Sequence, residues 1–473
     1  MKKGYYCHKI MNKLKLMKKF YILLLILIIF SNHANAQNTE QPNIIFILAD
    51  DLGSGDLHTT GHPYAQTPHL DKLASEGIQF ERAYMAAAWC APSRYGLMSG
   101  QYPARDFNKS KNLKPDEPTI TKILKDAGYT TAHFGKWHMN WSMDFADSPG
   151  DFGIDEHFST NHNGNGKTWT KKEKNSKHWR ERTTDAYVDM TIDFIDKNES
   201  ANESKPFYVN LWIYPTHSYI SPTPEMLSVY KDLKVDLNDF SKNQQEFLTF
   251  VSKHGDIDKS MQAYCADVTA MDKALGRLLD YLKEKGLDKN TVIVFSSDNG
   301  PGPLTNQVKN KSVVERYKKR PTLLNSVGSA KNYRDRKASF HEGGIRVPYI
   351  VSWPGQFPQG KIDKTTVIQG VDWLPTIASI CNVELPNSTF DGIDVKSAFY
   401  GNGNKRKDPL FWSENKNSVI LKDNWKGVLI DNEFALYDIV KDPSEETDLK
   451  NSNPDMANKM KMDLDQWLLE ISN

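Results

Sequence analysis

The feature that most constrains this chain is a set of unbroken apolar runs, rich in β-branched and aromatic residues, set apart by helix-length segments. They are Asn43–Leu48, Tyr129–Phe134, Phe207–Ile213, Thr291–Ser297 and Val347–Trp353. A strand wetted on one face alternates polar and apolar residues. Continuous runs such as Asn43-Ile44-Ile45-Phe46-Ile47-Leu48 suit strands covered on both faces, as in a parallel sheet between helix layers. The intervening segments read as helices. Thr67-Pro68 gives one a cap and a first-turn proline, Leu70, Leu73 and Ala74 give it an apolar face, and Gly77 ends it. A longer helix runs from Lys259 to Lys285, with Met261, Tyr264, Val268, Met271, Leu275, Leu278 and Leu282 at helical spacing. This alternation predicts an α/β fold with a mostly parallel sheet flanked by helices.

Past Leu385 the texture changes. Short strand-like pieces follow at Pro409–Trp412, Ser418–Leu421, Lys426–Leu429 and Phe434–Tyr437, and then a closing helix from Pro454 to Ile471. They predict a smaller C-terminal α+β subdomain with an antiparallel sheet. At 473 residues the chain has room for one large domain and this smaller one, expected over 37–385 and 386–473.

Residues 1–36 stand apart. Seven lysines precede the apolar run Phe20–Phe30, and Ala34-Asn35-Ala36 follows, the layout of a cleaved secretory signal peptide. Eleven apolar residues are too few for a comfortable membrane span, so no stable span is expected after cleavage. Export to a bacterial periplasm or beyond is the expected localisation. Loss of the segment turns a net charge of +1 into −6. An acidic remainder argues against nucleic acid as a partner. Cys90, Cys265 and Cys381 remain, too few for a disulfide framework.

Two acidic pairs end buried runs: Asp50-Asp51 and Asp298-Asn299. In open α/β sheets the functional crevice lies beyond the carboxyl ends of the strands. If the two runs are neighbours, three carboxylates and an amide oxygen meet there, a donor set for a hard cation such as Ca²⁺ or Mg²⁺. Cys90-Ala91-Pro92-Ser93-Arg94, with Leu97, Ser99 and Gly100 after it, supplies a third element. Its proline places Cys90 at a helix N-terminus, where free N–H groups favour an anion, and Arg94 adds a forked donor.

This stretch resembles the C-x-P-S-R-x-x-L-x-[ST]-G motif of the formylglycine-dependent sulfatases, type I enzymes of the alkaline phosphatase superfamily. Further motifs follow in the family's order: Pro42–Gly53, Gly135-Lys136-Trp137-His138, Arg334-x-x-Lys337 with Glu342–Pro348, and Leu436-Tyr437-Asp438 with Asp442-Pro443-x-Glu445. The resemblance implies an alkaline-phosphatase-like sulfatase domain and a nucleophile made by oxidising Cys90 to formylglycine, a step that needs a formylglycine-generating or other sulfatase-maturing enzyme. It implies a cation, calcium before magnesium, held by Asp50, Asp51, Asp298, Asn299 and the modified residue 90. Arg94 and Lys136 would neutralise the sulfate, and His138 would take a proton in the release step. His217 and Lys337 would assist the leaving oxygen, His217 as proton donor.

The stretches that match no motif bear on substrate. Lys167–Arg182 holds seven basic residues against two acids, with Trp169 and Trp179, and Lys309–Arg320 holds six against one. On an acidic protein they favour an extended anionic substrate, a sulfated polysaccharide or its oligosaccharides. The competing readings are a phosphodiester or phosphonate monoester hydrolase of the same superfamily, and a sulfated-glycan-binding protein without catalysis.

Overall fold

The computed structural model describes residues 41–140, 149–160, 183–218, 220, 222–302, 326–403 and 405–472. The expected signal segment and both basic stretches, Trp169 and Trp179 included, lie outside the described residues. Among the described residues eight strands form the main sheet: β1 (Asn43–Asp50), β2 (Ile78–Tyr84), β3 (Thr130–Lys136), β4 (Glu156–Thr160), β5 (Phe207–Thr216), β6 (Thr291–Ser297), β7 (Tyr349–Ser352) and β8 (Lys361–Gln369). Their order is β4-β3-β5-β1-β6-β7-β2-β8. Every pair is parallel except those made by β7, which runs antiparallel to both β6 and β2.

The helices that matter here are α1 (Pro68–Ser75), α2 (Cys90–Ser99), α3 (Thr183–Glu199), α4 (Ile257–Glu284), α5 (Trp373–Ile380) and α6 (Pro454–Glu470). β1 shows why its sequence is apolar throughout. Ile45 and Ile47 pack into the core under α3 and α4, while Ile44, Phe46 and Leu48 pack into the opposite core under α2 and α5. Both faces are dry, so alternation has nothing to select for. Gly276 in the middle of α4 costs that helix about 1 kcal/mol relative to alanine. A Cβ there would lie 2.4 Å from the His69 ring, so the glycine is what lets α1 pack against α4.

A second sheet follows, antiparallel throughout: β9 (Leu410–Glu414), β10 (Asn417–Lys422), β11 (Trp425–Ile430) and β12 (Glu433–Asp438). Two-residue loops join its strands. In the last, Asp431 and Asn432 both have positive φ, the type I′ geometry that matches the twist of a hairpin. α6 closes this sheet, with the Trp467 ring stacked on Phe411 at 4.6 Å.

The expected strands and helices are found within a few residues of their sequence positions. Three strands lie outside the expected set: β2, β4 and β8. Each carries polar residues that broke the apolar reading, such as Gln79 and Arg82 in β2 and Lys361, Asp363 and Lys364 in β8.

Candidate active site

β1 pairs directly with β6, Ala49 opposite Ser297, so the two acidic pairs leave the sheet side by side. Asp51 turns the chain with a φ of 62°, and its N–H donates to Asp298 Oδ1 at 3.2 Å. The Leu52 N–H donates to Ser297 Oγ at 2.9 Å. Gly53 is required next, because a Cβ there would sit 2.2 Å from the Ser329 carbonyl. Its N–H donates to buried Asp56, whose carboxylate also accepts the Tyr264 hydroxyl at 2.6 Å and the Ser329 N–H at 2.6 Å. Thr216 Oγ1 lies 3.0 Å from that hydroxyl and donates to the Asp51 carbonyl at 3.0 Å. The sequence reading missed this Asp56–Tyr264–Thr216 brace. The buried Tyr264 in the apolar face of α4 was its only visible trace.

α2 begins at Cys90, which is 4% exposed. Cys90 Sγ lies 3.3 Å from Asp50 Oδ1, 3.7 Å from Asp51 Oδ1 and 3.0 Å from Lys337 Nζ. One turn into the helix, Arg94 donates from Nε and Nη2 to Asp298 Oδ2 at 2.9 and 2.6 Å, and from Nη1 to the Lys136 carbonyl. The Trp212 ring lies 5.2 Å from this guanidinium, a second support the sequence did not flag. Lys136 reaches Asp50 Oδ2 at 2.7 Å, and Lys337 pairs closely with Asp51. Asn299 Nδ2 donates to Asp51 Oδ1 at 2.8 Å.

Three carboxylates therefore meet three cations out of water. Burial pushes the Asp50 carboxyl up, but Lys136, His217, Arg94 and Lys337 outweigh it and hold the group well below the usual carboxylate range. Asp51 is lowered in the same way, chiefly by Lys337. Burial, with Asp298 and Asp50 close by, pushes the Cys90 thiol well above its ordinary value. Lys337, facing Asp51, Cys90 and Asp50, is held firmly protonated against its own burial.

His217 follows β5, with Nε2 3.6 Å from Asp51 Oδ2 and Nδ1 2.7 Å from the Ser218 carbonyl. Burial lowers its pKa to about 4 against the pull of Asp51 and Asp50. One ligand atom each from Asp50, Asp51, Cys90 and His217 falls within 4.8 Å of the others. His138 is outside that group. It stands two residues beyond Lys136, half-buried, on backbone with a φ of 55°. Nine of the ten residues singled out from the sequence are thus tied to one cluster by the contacts above.

The family model described as sulfatase matches residues 42–383, and that described as N-sulphoglucosamine sulphohydrolase, C-terminal, matches 331–473. The chain belongs to the sulfatase family. A sulfatase of Formosa agariphila is 27% identical over 96% of this chain and 94% of its own. An N-acetylgalactosamine-6-O-sulfatase of Bacteroides thetaiotaomicron is 26% identical over 90% of this chain and 93% of its own. Among solved structures, that of Ps i-CgsB in complex with k-i-k-neocarrahexaose superposes with a TM-score of 0.73 at 25% identity, covering 91% of this chain and 93% of that one. The sulfatase fold, with its parallel sheet and appended antiparallel sheet, is the fold described above, and the chain is a sulfuric ester hydrolase.

Proposed function

We propose that this sulfatase removes sulfate esters from sulfated polysaccharides or their oligosaccharides, using a formylglycine made from Cys90 and a calcium ion. The observation that carries the proposal is the Cys90 thiol at the first position of α2, within 3.3 Å of Asp50 and 3.0 Å of Lys337. The thiol marks the place that the oxygens of a hydrated formylglycine would take. Hydrated formylglycine supplies two hydroxyls on one carbon, one to attack sulfur and one whose loss of a proton releases sulfate.

The donor set fits a calcium ion. Asp50, Asp51 and Asp298 offer carboxylate oxygens, and Asn299 Oδ1 is buried with no hydrogen-bond partner among the described residues. An orphaned acceptor of that kind is costly unless a cation completes it. All-oxygen donors of this charge suit a hard cation, and calcium tolerates their irregular arrangement better than octahedral magnesium. Calcium supplies positive charge to a sulfate oxygen and to the nucleophile.

The chain's own side chains supply the rest. Arg94 and Lys136 fix the carboxylates and give the sulfate its positive surroundings. Lys337, held protonated, would bind a sulfate oxygen and stabilise the charge that develops as the ester bond breaks. His217 would hand a proton to the departing sugar oxygen, held on the ring against its burial by the negative charge of the bound sulfate, and His138 would take one in the release step.

The polymeric substrate is supported by the relatives: one acts on an N-acetylgalactosamine 6-sulfate by name, and a structural neighbour holds a neocarrahexaose. The two basic stretches support it as well. Export through the signal-like residues 1–36 fits such a substrate, and among the described residues no helix is long and apolar enough to cross a membrane.

The test is free sulfate released from a panel of sulfated polysaccharides, their oligosaccharides, one aryl sulfate and one phosphodiester. The protein is co-expressed with a formylglycine-generating enzyme, and conversion is checked by peptide mass. Release from the glycans, lost with chelator and with Cys90→Ala, is expected. Fully converted protein that releases sulfate from none of them, or cleaves only the phosphodiester, overturns the proposal.

A further inference from the structure

The segment that delivers Lys337 follows a path its own residues disfavour. Asp335 and Ala338, on either side of it, have φ of 59° and 77°. Residues with a Cβ hold such angles only where their surroundings impose them. Part of the hold is local. The Lys337 N–H donates to the Pro301 carbonyl at 3.1 Å, Ala338 N–H to Ala88 at 3.0 Å, and Gly343 N–H to Arg334 at 2.8 Å.

The remaining hold comes from the second sheet. Lys426 Nζ on β11 lies 2.9 Å from Glu342 Oε1 and 2.9 Å from Glu445 Oε1. Glu445 Oε2 accepts the Glu342 N–H at 2.7 Å, and the Glu445 carbonyl accepts Arg334 Nη1 at 3.0 Å. Tyr84 and Arg346 donate to Glu342 Oε2 at 2.9 and 3.0 Å. Lys426 and Glu342 are 0% exposed and Glu445 is 1%. The same turn carries the other arm of the site: Gly300 N–H donates to the Gly344 carbonyl at 2.9 Å, and a Cβ on Gly300 would lie 1.9 Å from the Gly343 carbonyl.

We infer that Lys426 is a positioning residue for catalysis: by clamping Glu342 and Glu445 it sets the strained 334–344 turn, and so the place of Lys337 against residue 90. A sealed ammonium reaches no substrate, so it acts through the turn alone. Apolar groups in place of the whole cluster would serve stability as well or better, but they lack the directional bonds that fix the turn's height and angle. The inference rests on the proposed function in one respect, that Lys337 binds a sulfate oxygen.

The test is a double-mutant cycle on the converted, calcium-loaded enzyme, comparing wild type, Lys426→Met, Lys337→Ala and the double variant. Two quantities are read: kcat/KM for the best sulfated substrate, and Kd for inorganic sulfate by calorimetry. In the wild-type background Lys426→Met is expected to lower kcat/KM by about 10–100-fold and to weaken sulfate binding at least about tenfold. In the Lys337→Ala background it should cost less than about threefold in either. A loss below about threefold in the wild-type background, or an equal loss in both, overturns the inference and leaves Lys426 a purely structural residue. If Lys426→Met does not fold, Glu445→Gln, which keeps an acceptor for the Glu342 N–H, is put through the same cycle with the same criteria. Wild-type enzyme that releases no sulfate counts against the proposed function. The sulfate-affinity cycle then decides this inference by itself.

Discussion

Two of the buried clusters of charge among the described residues are built on different plans. Around Cys90, Asp50, Asp51 and Asp298 face Arg94, Lys136 and Lys337, and the amide oxygen of Asn299 accepts nothing among the described residues. Around Lys426, Glu342 and Glu445 face Lys426 and Arg346, with Tyr84 a further donor to Glu342. In the second cluster every charge meets an opposite charge of the cluster itself, Glu445 Oε1 through an ion pair with Lys426 at 2.9 Å that makes no hydrogen bond. The first keeps an acceptor, Asn299 Oδ1, that no donor of its own meets, open to something that comes from outside. Charge taken out of water is costly in both, so the contrast separates a cluster kept for chemistry from one kept for shape.

The widest difference should appear on removing the centre of the open cluster. Cys90→Ala is expected to lower sulfate release by at least about 10⁴-fold while leaving the fold intact by circular dichroism. A variant that keeps measurable turnover would erase the distinction. Next comes the closed cluster. Lys426→Met leaves two carboxylates against one guanidinium and should lower stability by about 3–5 kcal/mol in a denaturant titration. A stability equal to wild type would show that the cluster is not closed in the sense used here.

Lys337→Ala sharpens the contrast from the other side. Under the proposed chemistry its cost should fall on the reaction, about 10²–10³-fold in kcat/KM, because there it would face charge that grows as the ester bond breaks. A change confined to KM would instead make it a simple binding residue. The smallest effects belong to the rim of the closed cluster. Tyr84→Phe removes one donor to Glu342 and should cost about 1–3 kcal/mol or less, read as a shift in melting temperature. Acid should act on the same group. Burial raises the Glu342 pKa, but Lys426 and Arg346 outweigh it and hold it below 4.5. Its contribution is therefore present above that pH and lost as the pH falls below it, and Lys426→Met should flatten this part of the stability profile.

The two clusters also differ in how far the sequence announces them. Asp50, Asp51, Asp298 and Asn299 are legible because each pair ends an apolar run, and strand ends are where an open sheet places its chemistry. Cys90 and Arg94 are legible because four residues of helix place them one turn apart. Lys426 offers no such signal. It sits in the strand-like piece Lys426–Leu429, where a lysine reads as a solvent-facing residue of a half-wet sheet, and its partners are 84 and 19 residues away. The motif around Glu342 and the Asp442-Pro443-x-Glu445 stretch could be matched to a family, yet nothing in either says that they touch. The missed strands follow the same logic. β8, an edge strand, opens on Lys361, Asp363, Lys364 and Thr365 before its apolar Val367-Ile368, and β2 buries Gln79 and Arg82 in polar company that periodicity does not foresee.

The burial of Cys90 carries a consequence for the timing of manufacture. A side chain 4% exposed, at the root of a helix and pressed against Asp50, offers no peptide for another enzyme to grasp. Under the proposed chemistry the oxidation must therefore reach the chain while residues 90–94 are still extended. Folding then acts as a deadline: a molecule that collapses first is locked as a thiol, well formed and permanently inert.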